Sequence, residues 1–204
     1  MARPKRPKKQ AAKRPRAERQ EETRLRILEA ARKLFAAKGV AGLSIRAIAA
    51  RAGMPAMTLY SYFPGKMGIV RALWSEAFGP LFVEMETAEK SEPDPKERLR
   101  KVAQTMVDYW MQHPDRYKIV FLIEDRREKE DDKWFIEETD VVPALFRFKH
   151  LIAEARNDPG GDYQREAETL ICCLIGITHM LVGVSEYPWA RSNTYVDMVV
   201  RGLC

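Results

Sequence analysis

The stretch LSIRAIAARAGMPAMTLYSYFPGK, residues 43–66, decides the fold. Ile45, Ile48, Ala49 and Ala52 recur at i, i+3, i+4 and i+7, which places them along one side of an α-helix. Ser44 stands just before them, where a hydroxyl can cap the free amides of the first turn. Gly53 then stops the helix, because a left-handed residue at a helix end is cheapest as glycine. The chain can turn sharply there into a second helix starting near Pro55, which Leu59 and Phe63, four residues apart, anchor inward. Ala56, Met57, Thr58, Tyr60, Ser61 and Tyr62 are left facing outward. They offer hydroxyls, methyl groups and aromatic rings with no acidic charge, a face suited to a DNA groove. Two helices around a tight glycine turn are the arrangement of a helix-turn-helix.

Upstream, residues 23–37 put Ile27, Ala30, Ala31, Leu34 and Phe35 on one helical face, and Gly39 ends the segment, so the unit has three helices. The run AARKLFAAKGVAGLSIRAIAARAGMPAMTLYSYFPGK resembles the N-terminal domain of the TetR family of transcriptional regulators. The AA..LF..G helix end, the L-S-I-R entry, I-A..A-G at the turn, T-L-Y, Y-F and the following lysine coincide in order over residues 23–70. Two positions depart from the family's habit. Pro55 replaces a serine cap on the second helix and fits its first turn without capping it. Met57 replaces a small residue with a flexible thioether.

Charge is distributed unequally. The first 70 residues carry seventeen Lys/Arg against four Asp/Glu, a formal +13; the whole chain carries +6, so residues 71–204 carry −7. The basic field therefore belongs to the helix-turn-helix end, where phosphate neutralisation would need it. Residues 3–16 hold eight Lys/Arg, no acid and three prolines, too little apolar surface to fold against anything. Residues 1–22 read as a disordered basic arm that can follow phosphates or enter the minor groove.

The basic start leads into no apolar signal core, and the longest apolar run, residues 170–184, is short for a span of roughly 20 residues and is interrupted by Thr178 and His179. Three cysteines, two of them adjacent, form no disulfide framework and suit a reducing compartment. The expectation is a cytoplasmic protein. His113, His150 and His179 are scattered, and no HExxH, GxSxG, CxxC or glycine-rich phosphate loop occurs. Cys172 and His179 share a helix face as core or interface residues, and the alternating charges of residues 124–132 read as solvated surface. No enzyme activity, cofactor or metal site is expected.

From Lys66 onward the chain reads as helices alone. A connecting helix spans residues 66–85. Asp94, Pro95 and Glu97 start the next with a cap, a first-turn proline and a capping-box glutamate. It runs to Gln112, burying Leu99, Val102, Ala103, Met106 and Trp110, and His113-Pro114 breaks it. Further helices are expected over residues 115–123, over 134–156 with a bend at Pro143, over 163–185 capped by Asp162, and from a Ser192 cap to residue 203. The fold class is all-α: a three-helix DNA-binding domain at 23–70 and a six-helix ligand-binding and dimerisation bundle at 71–204.

The helix over 163–185 is apolar on more than one face (Leu170, Ile171, Leu174, Ile175, Ile177, Leu181, Val182), and Gly176 and Gly183 would let a second helix approach. Aromatic and methionine side chains are also frequent in the body. Met106, Tyr109, Trp110, Tyr117, Phe121, Phe146 and His179 are candidate pocket residues for an apolar or aromatic molecule.

The resemblance implies more. TetR-like regulators dimerise through their last two long helices. Family matching places Arg46, Thr58, Tyr60 and Lys66 at the DNA, with the amides after Ser44 free to meet a phosphate and Ala56, Met57 and Ser61 setting sequence preference. The implied function is a ligand-responsive repressor that binds a palindromic double-stranded operator as a homodimer and is released by a small-molecule effector. An activator or a ligand-independent DNA-binding regulator fits the same residues, and a helical-bundle enzyme or binding module that keeps the head is the alternative of another class.

Overall fold

The computed structural model describes residues 15–123 and 145–203. Among them the chain forms nine α-helices: α1 (Arg16–Lys38), α2 (Ile45–Ala52), α3 (Ala56–Tyr60), α4 (Gly65–Lys90), α5 (Pro95–Gln112), α6 (Pro114–Phe121), α7 (Arg147–Ala155), α8 (Gln164–Gly183) and α9 (Ser192–Leu203). A short 3-10 turn, Val40–Gly42, links α1 to α2. The all-α expectation holds for these residues.

The chain divides into two compact units, residues 1–64 and 65–204. In the first, α1 buries Ile27, Leu28, Ala30, Ala31, Leu34 and Phe35, against which α2 buries Ile48 and Ala49. Leu59 of α3 and Phe63 just beyond it complete this core. Ile45 and Ala52, expected inside, are only half-buried.

Helix α1 begins at Arg16, so residues 16–22 are helical and do not belong to a disordered arm. Charge density dominates the sequence reading of this segment, whereas local helix chemistry decides its structure. Pro15 occupies the cap position, Glu18 lies in the positive first turn, and Glu21 pairs with Arg24 at i,i+3. Residues 1–14, which hold most of the arm, lie outside the described residues.

In the second unit α5 is the central helix, packing against α4, α6, α7, α8 and α9. Its start is as expected: the Asp94 carboxylate accepts the amides of Lys96 at 3.0 Å and Glu97 at 2.9 Å, with Pro95 in the first turn. Leu99, Val102, Ala103, Met106 and Trp110 are buried, joined by Val107 and Tyr109. Helix α4 runs on to Lys90 through Pro80, past the expected end at residue 85, and begins in this unit, so residues 65–70 group with the body.

Two caps differ from expectation. Tyr163, not Asp162, precedes α8, and the Asp162 carboxylate instead pairs with Lys149 at 2.7 Å, which holds its pKa below the usual range. Ser192 is the first residue of α9, with its hydroxyl held by Gln104 and Asp108 of α5. The helix over 134–156 is described only as α7, so Trp134, Phe135 and the bend at Pro143 lie outside the described residues, as do the charges of 124–132.

Candidate DNA-binding surface and aromatic cluster

In the first unit the Ser44 hydroxyl accepts the Ala47 amide at 3.2 Å, leaving the amides of Ile45 and Arg46 at the start of α2 without that cap. Alanine at 47 supplies no carboxylate to compete with an incoming anion. Gly53 ends α2 in the left-handed region, φ 66° and ψ 41°, and the Met54 amide closes back on the Ala49 carbonyl at 3.0 Å. The chain leaves this turn extended at Pro55, and α3 follows for five residues.

With Leu59 fully buried, the rest of α3 faces outward: Met57 is 76% exposed and Tyr60 54%, and Ser61 is also exposed. Ala56, Thr58 and Tyr62 are half-buried around them, and Arg46 is exposed at the start of α2. The turn therefore gathers Ser44, Arg46, Ala56, Met57, Thr58, Tyr60, Ser61 and Tyr62 within one unit. Lys66 falls in the other, half-buried in the first turn of α4.

Two arginines of α1, not singled out in the sequence, hold this arrangement. Arg26 donates to the Ala52 carbonyl at 3.0 Å, capping the end of α2 beside the turn. Arg24 places its guanidinium over the Phe63 ring, 5.5 Å from the centroid, at the exit of α3. Both contacts span more than twenty residues of sequence, beyond the reach of local periodicity.

In the second unit the expected aromatic residues form a cluster built on α5 and α6. The Trp110 ring meets Tyr109 at 5.1 Å, Phe121 at 5.4 Å and Tyr117 at 6.1 Å, all edge to face. Tyr117 and Phe121, one turn apart on α6, lie 4.7 Å from each other. Helix α4 contributes Phe78, 5.5 Å from Trp110 and stacked on Phe82; its reading as a mere connector missed both.

Polar atoms rim the cluster. The Tyr109 hydroxyl donates to the Ala77 carbonyl at 2.5 Å and accepts from Arg116 at 2.7 Å, and burial raises its pKa against the opposing pull of that guanidinium. The Tyr117 hydroxyl lies 3.1 Å from His179 Nδ1 on α8, and burial raises its pKa too. Met106 is buried one turn before Trp110. Phe146 precedes α7 and makes no ring contact with the cluster among the described residues. Two clefts lie elsewhere. One of about 710 Å³ runs along α1 and α2, and one of about 360 Å³ lies between α5 and α9; both are lined largely by charged side chains.

On α8 the buried residues Ala167, Leu170, Leu174 and Thr178 form one stripe, with the Thr178 hydroxyl turned back onto the Leu174 carbonyl at 2.9 Å. The remaining sides carry Ile171, Ile175, Ile177, Leu181 and Val182, half-buried, and Met180, 42% exposed. Cys172 and His179 are exposed there as well.

Residues 27–73 match the family described as bacterial regulatory proteins, tetR family. No curated protein matches the chain. Among solved structures, the fold is similar to a TetR-like transcriptional regulator from Rhodococcus sp. RHA1, with TM-score 0.64, 18% identity, and 94% of this chain and 96% of that one covered. It is also similar to the fatty acid degradation regulator FadR from Bacillus halodurans, with TM-score 0.68, 19% identity, and coverage of 89% and 94%. FadR from Bacillus subtilis, solved in complex with stearoyl-CoA, gives TM-score 0.67, 19% identity, and coverage of 88% and 96%. The matched segment is the one that carries the glycine turn and the exposed face of α3: residues 27–73 match the N-terminal domain of the tetR family, and the described residues share the all-helical fold of these solved structures.

Proposed function

We propose that this regulator is a ligand-responsive repressor that binds a palindromic operator as a homodimer and is released by a small apolar or aromatic effector. The observation that carries DNA binding is the acid-free exposed face of α3, positioned by the Gly53 turn on a strongly basic unit. Met57, Tyr60 and Ser61 meet base edges and phosphates in the major groove, and Arg46 and Lys66 neutralise phosphates. As a protein that works on DNA it acts in the cytoplasm.

Helix α8 supports the dimer. It is long and apolar enough to cross a membrane by length and composition, yet only 22% of that window is buried within the chain. A second copy laid against α8 and α9 covers its free apolar side. A Cβ built at Gly176 or Gly183 meets nothing within 4 Å, leaving room for that copy's backbone.

The effector site is the aromatic cluster of α4, α5 and α6. Similar folds that include fatty acid regulators, one solved with stearoyl-CoA, support an apolar ligand class. A ligand favouring the state in which the two heads are misplaced for half-sites about 34–36 Å apart shifts the population away from DNA, by no more than its differential affinity. By reciprocity the operator weakens ligand binding by the same factor. Calorimetric titration of the effector with and without saturating operator tests this. Weaker binding on DNA is expected; equal affinities refute release by that ligand, and tighter binding makes it a co-repressor.

A further inference from the structure

Trp110 is wholly buried, and its indole Nε1 has no hydrogen-bond partner among the described residues. Native folds rarely leave such a donor unsatisfied, so an orphan calls for a cause. The neighbouring polar rings are all provided for. Trp74 Nε1 donates to the Ile119 carbonyl at 2.8 Å, the Tyr109 hydroxyl has Ala77 and Arg116, and the Tyr117 hydroxyl has His179. Around Trp110 stand Phe78, Tyr109, Tyr117 and Phe121, which offer ring faces and edges. Three of them are buried; Phe121, the last residue of α6, is the half-buried one.

We propose that Trp110 Nε1 is the anchoring donor of the effector site, and that it takes an uncharged acceptor, a carbonyl or ether oxygen, on a flat apolar molecule that enters by displacing the Phe121 ring. The proposal rests on the reading of this cluster as the effector site. A flat body in place of Phe121 restores the edge-to-face contact with Trp110 and the tilted contact with Tyr117, so displacing that ring costs little packing. The acceptor is uncharged because the cationic group at the cluster, Arg116, is already bonded to Tyr109, and a carboxylate would lose its hydration without a counter-charge.

The test uses full-length protein with 15N-labelled tryptophan, whose four indole N–H signals are few enough to follow singly; Trp110 is identified by the signal that disappears in Trp110→Phe. The probes are 2-acetylnaphthalene, its carbonyl-free isostere 2-isopropenylnaphthalene, and 2-naphthoate. The ketone is expected to move the Trp110 indole proton downfield and to bind about tenfold tighter than the alkene, as one neutral hydrogen bond allows. Trp110→Phe should abolish that preference. If this variant does not fold, the ketone-to-alkene ratio and the movement of any of the four indole signals in the wild-type protein still decide. Equal affinities with an unmoved indole signal overturn the Trp110 contact while leaving the effector site standing. Tighter binding of naphthoate overturns the uncharged acceptor. Failure of all three probes to bind overturns the cluster as a site for flat apolar molecules. Failure of repression relieved by ligand appears separately, in the titration with operator.

Discussion

Replacing Gly176 with glutamate separates the dimer from the fold of one chain. Gly176 lies within α8, exposed, and a Cβ there meets nothing within 4 Å. Inside a single chain the substitution therefore changes only helix propensity. Glycine costs about 0.5–1 kcal/mol relative to alanine in a helix interior, and glutamate is only a few tenths worse than alanine. The net effect on the protomer is a gain of roughly 0.5 kcal/mol, or about 1–2 °C in Tm for a chain of this length. In a two-fold α8 interface the same change brings two carboxylates into an apolar contact, at an effective cost of several kcal/mol per buried ion. Even about 2.7 kcal/mol weakens dimerisation about a hundredfold. An unlinked protomer also forgoes the second half-site, a drop of about 10²–10⁴ in operator affinity. Sedimentation velocity with operator binding by fluorescence anisotropy reads both, and circular dichroism checks that the helices persist. Gly79→Glu is the control, since Gly79 is equally open but lies on α4. A Gly176→Glu protein that sediments as the wild-type dimer and binds operator unchanged would refute the placing of the interface on this face.

Three substitutions and one truncation address the DNA surface. Tyr60→Phe and Lys66→Ala should weaken binding to operator and non-operator DNA alike, whereas Met57→Ala should shift base preference by about 1–3 kcal/mol at the affected pair; competition assays against single-base operator variants distinguish these patterns. Removing residues 1–14, a cut that stops short of α1, should flatten log K against log salt by about 0.9 for every phosphate that the arm neutralises in the intact protein; an unchanged slope shows that the arm does not touch DNA.

What is legible in this sequence is chemistry settled within a few residues. Ser44, Gly53 and the Asp94-Pro95-Glu97 start can be read because a cap or a left-handed turn depends on neighbours at most four positions away. The same rule explains residues 16–22, where the local helix signals Glu18 and Glu21 are present but the charge of the segment before them masks their meaning. Pairings between helices are not legible. Arg26 on Ala52, Arg24 on Phe63 and Phe78 on Trp110 depend on which faces meet, and periodicity names a buried face without naming what it is buried against. Phe146 shows the limit from the other side. Composition groups it with Trp110, yet it stands at the start of α7 while the cluster is built on α4, α5 and α6. Composition can nominate rings for a site, but only their placement separates Trp110, whose indole lacks a partner, from Trp74, whose indole has one. Both are buried tryptophans on helices of the same unit, so it is the unmet hydrogen bond, a property of packing, that marks one of them as a candidate to recognise a ligand.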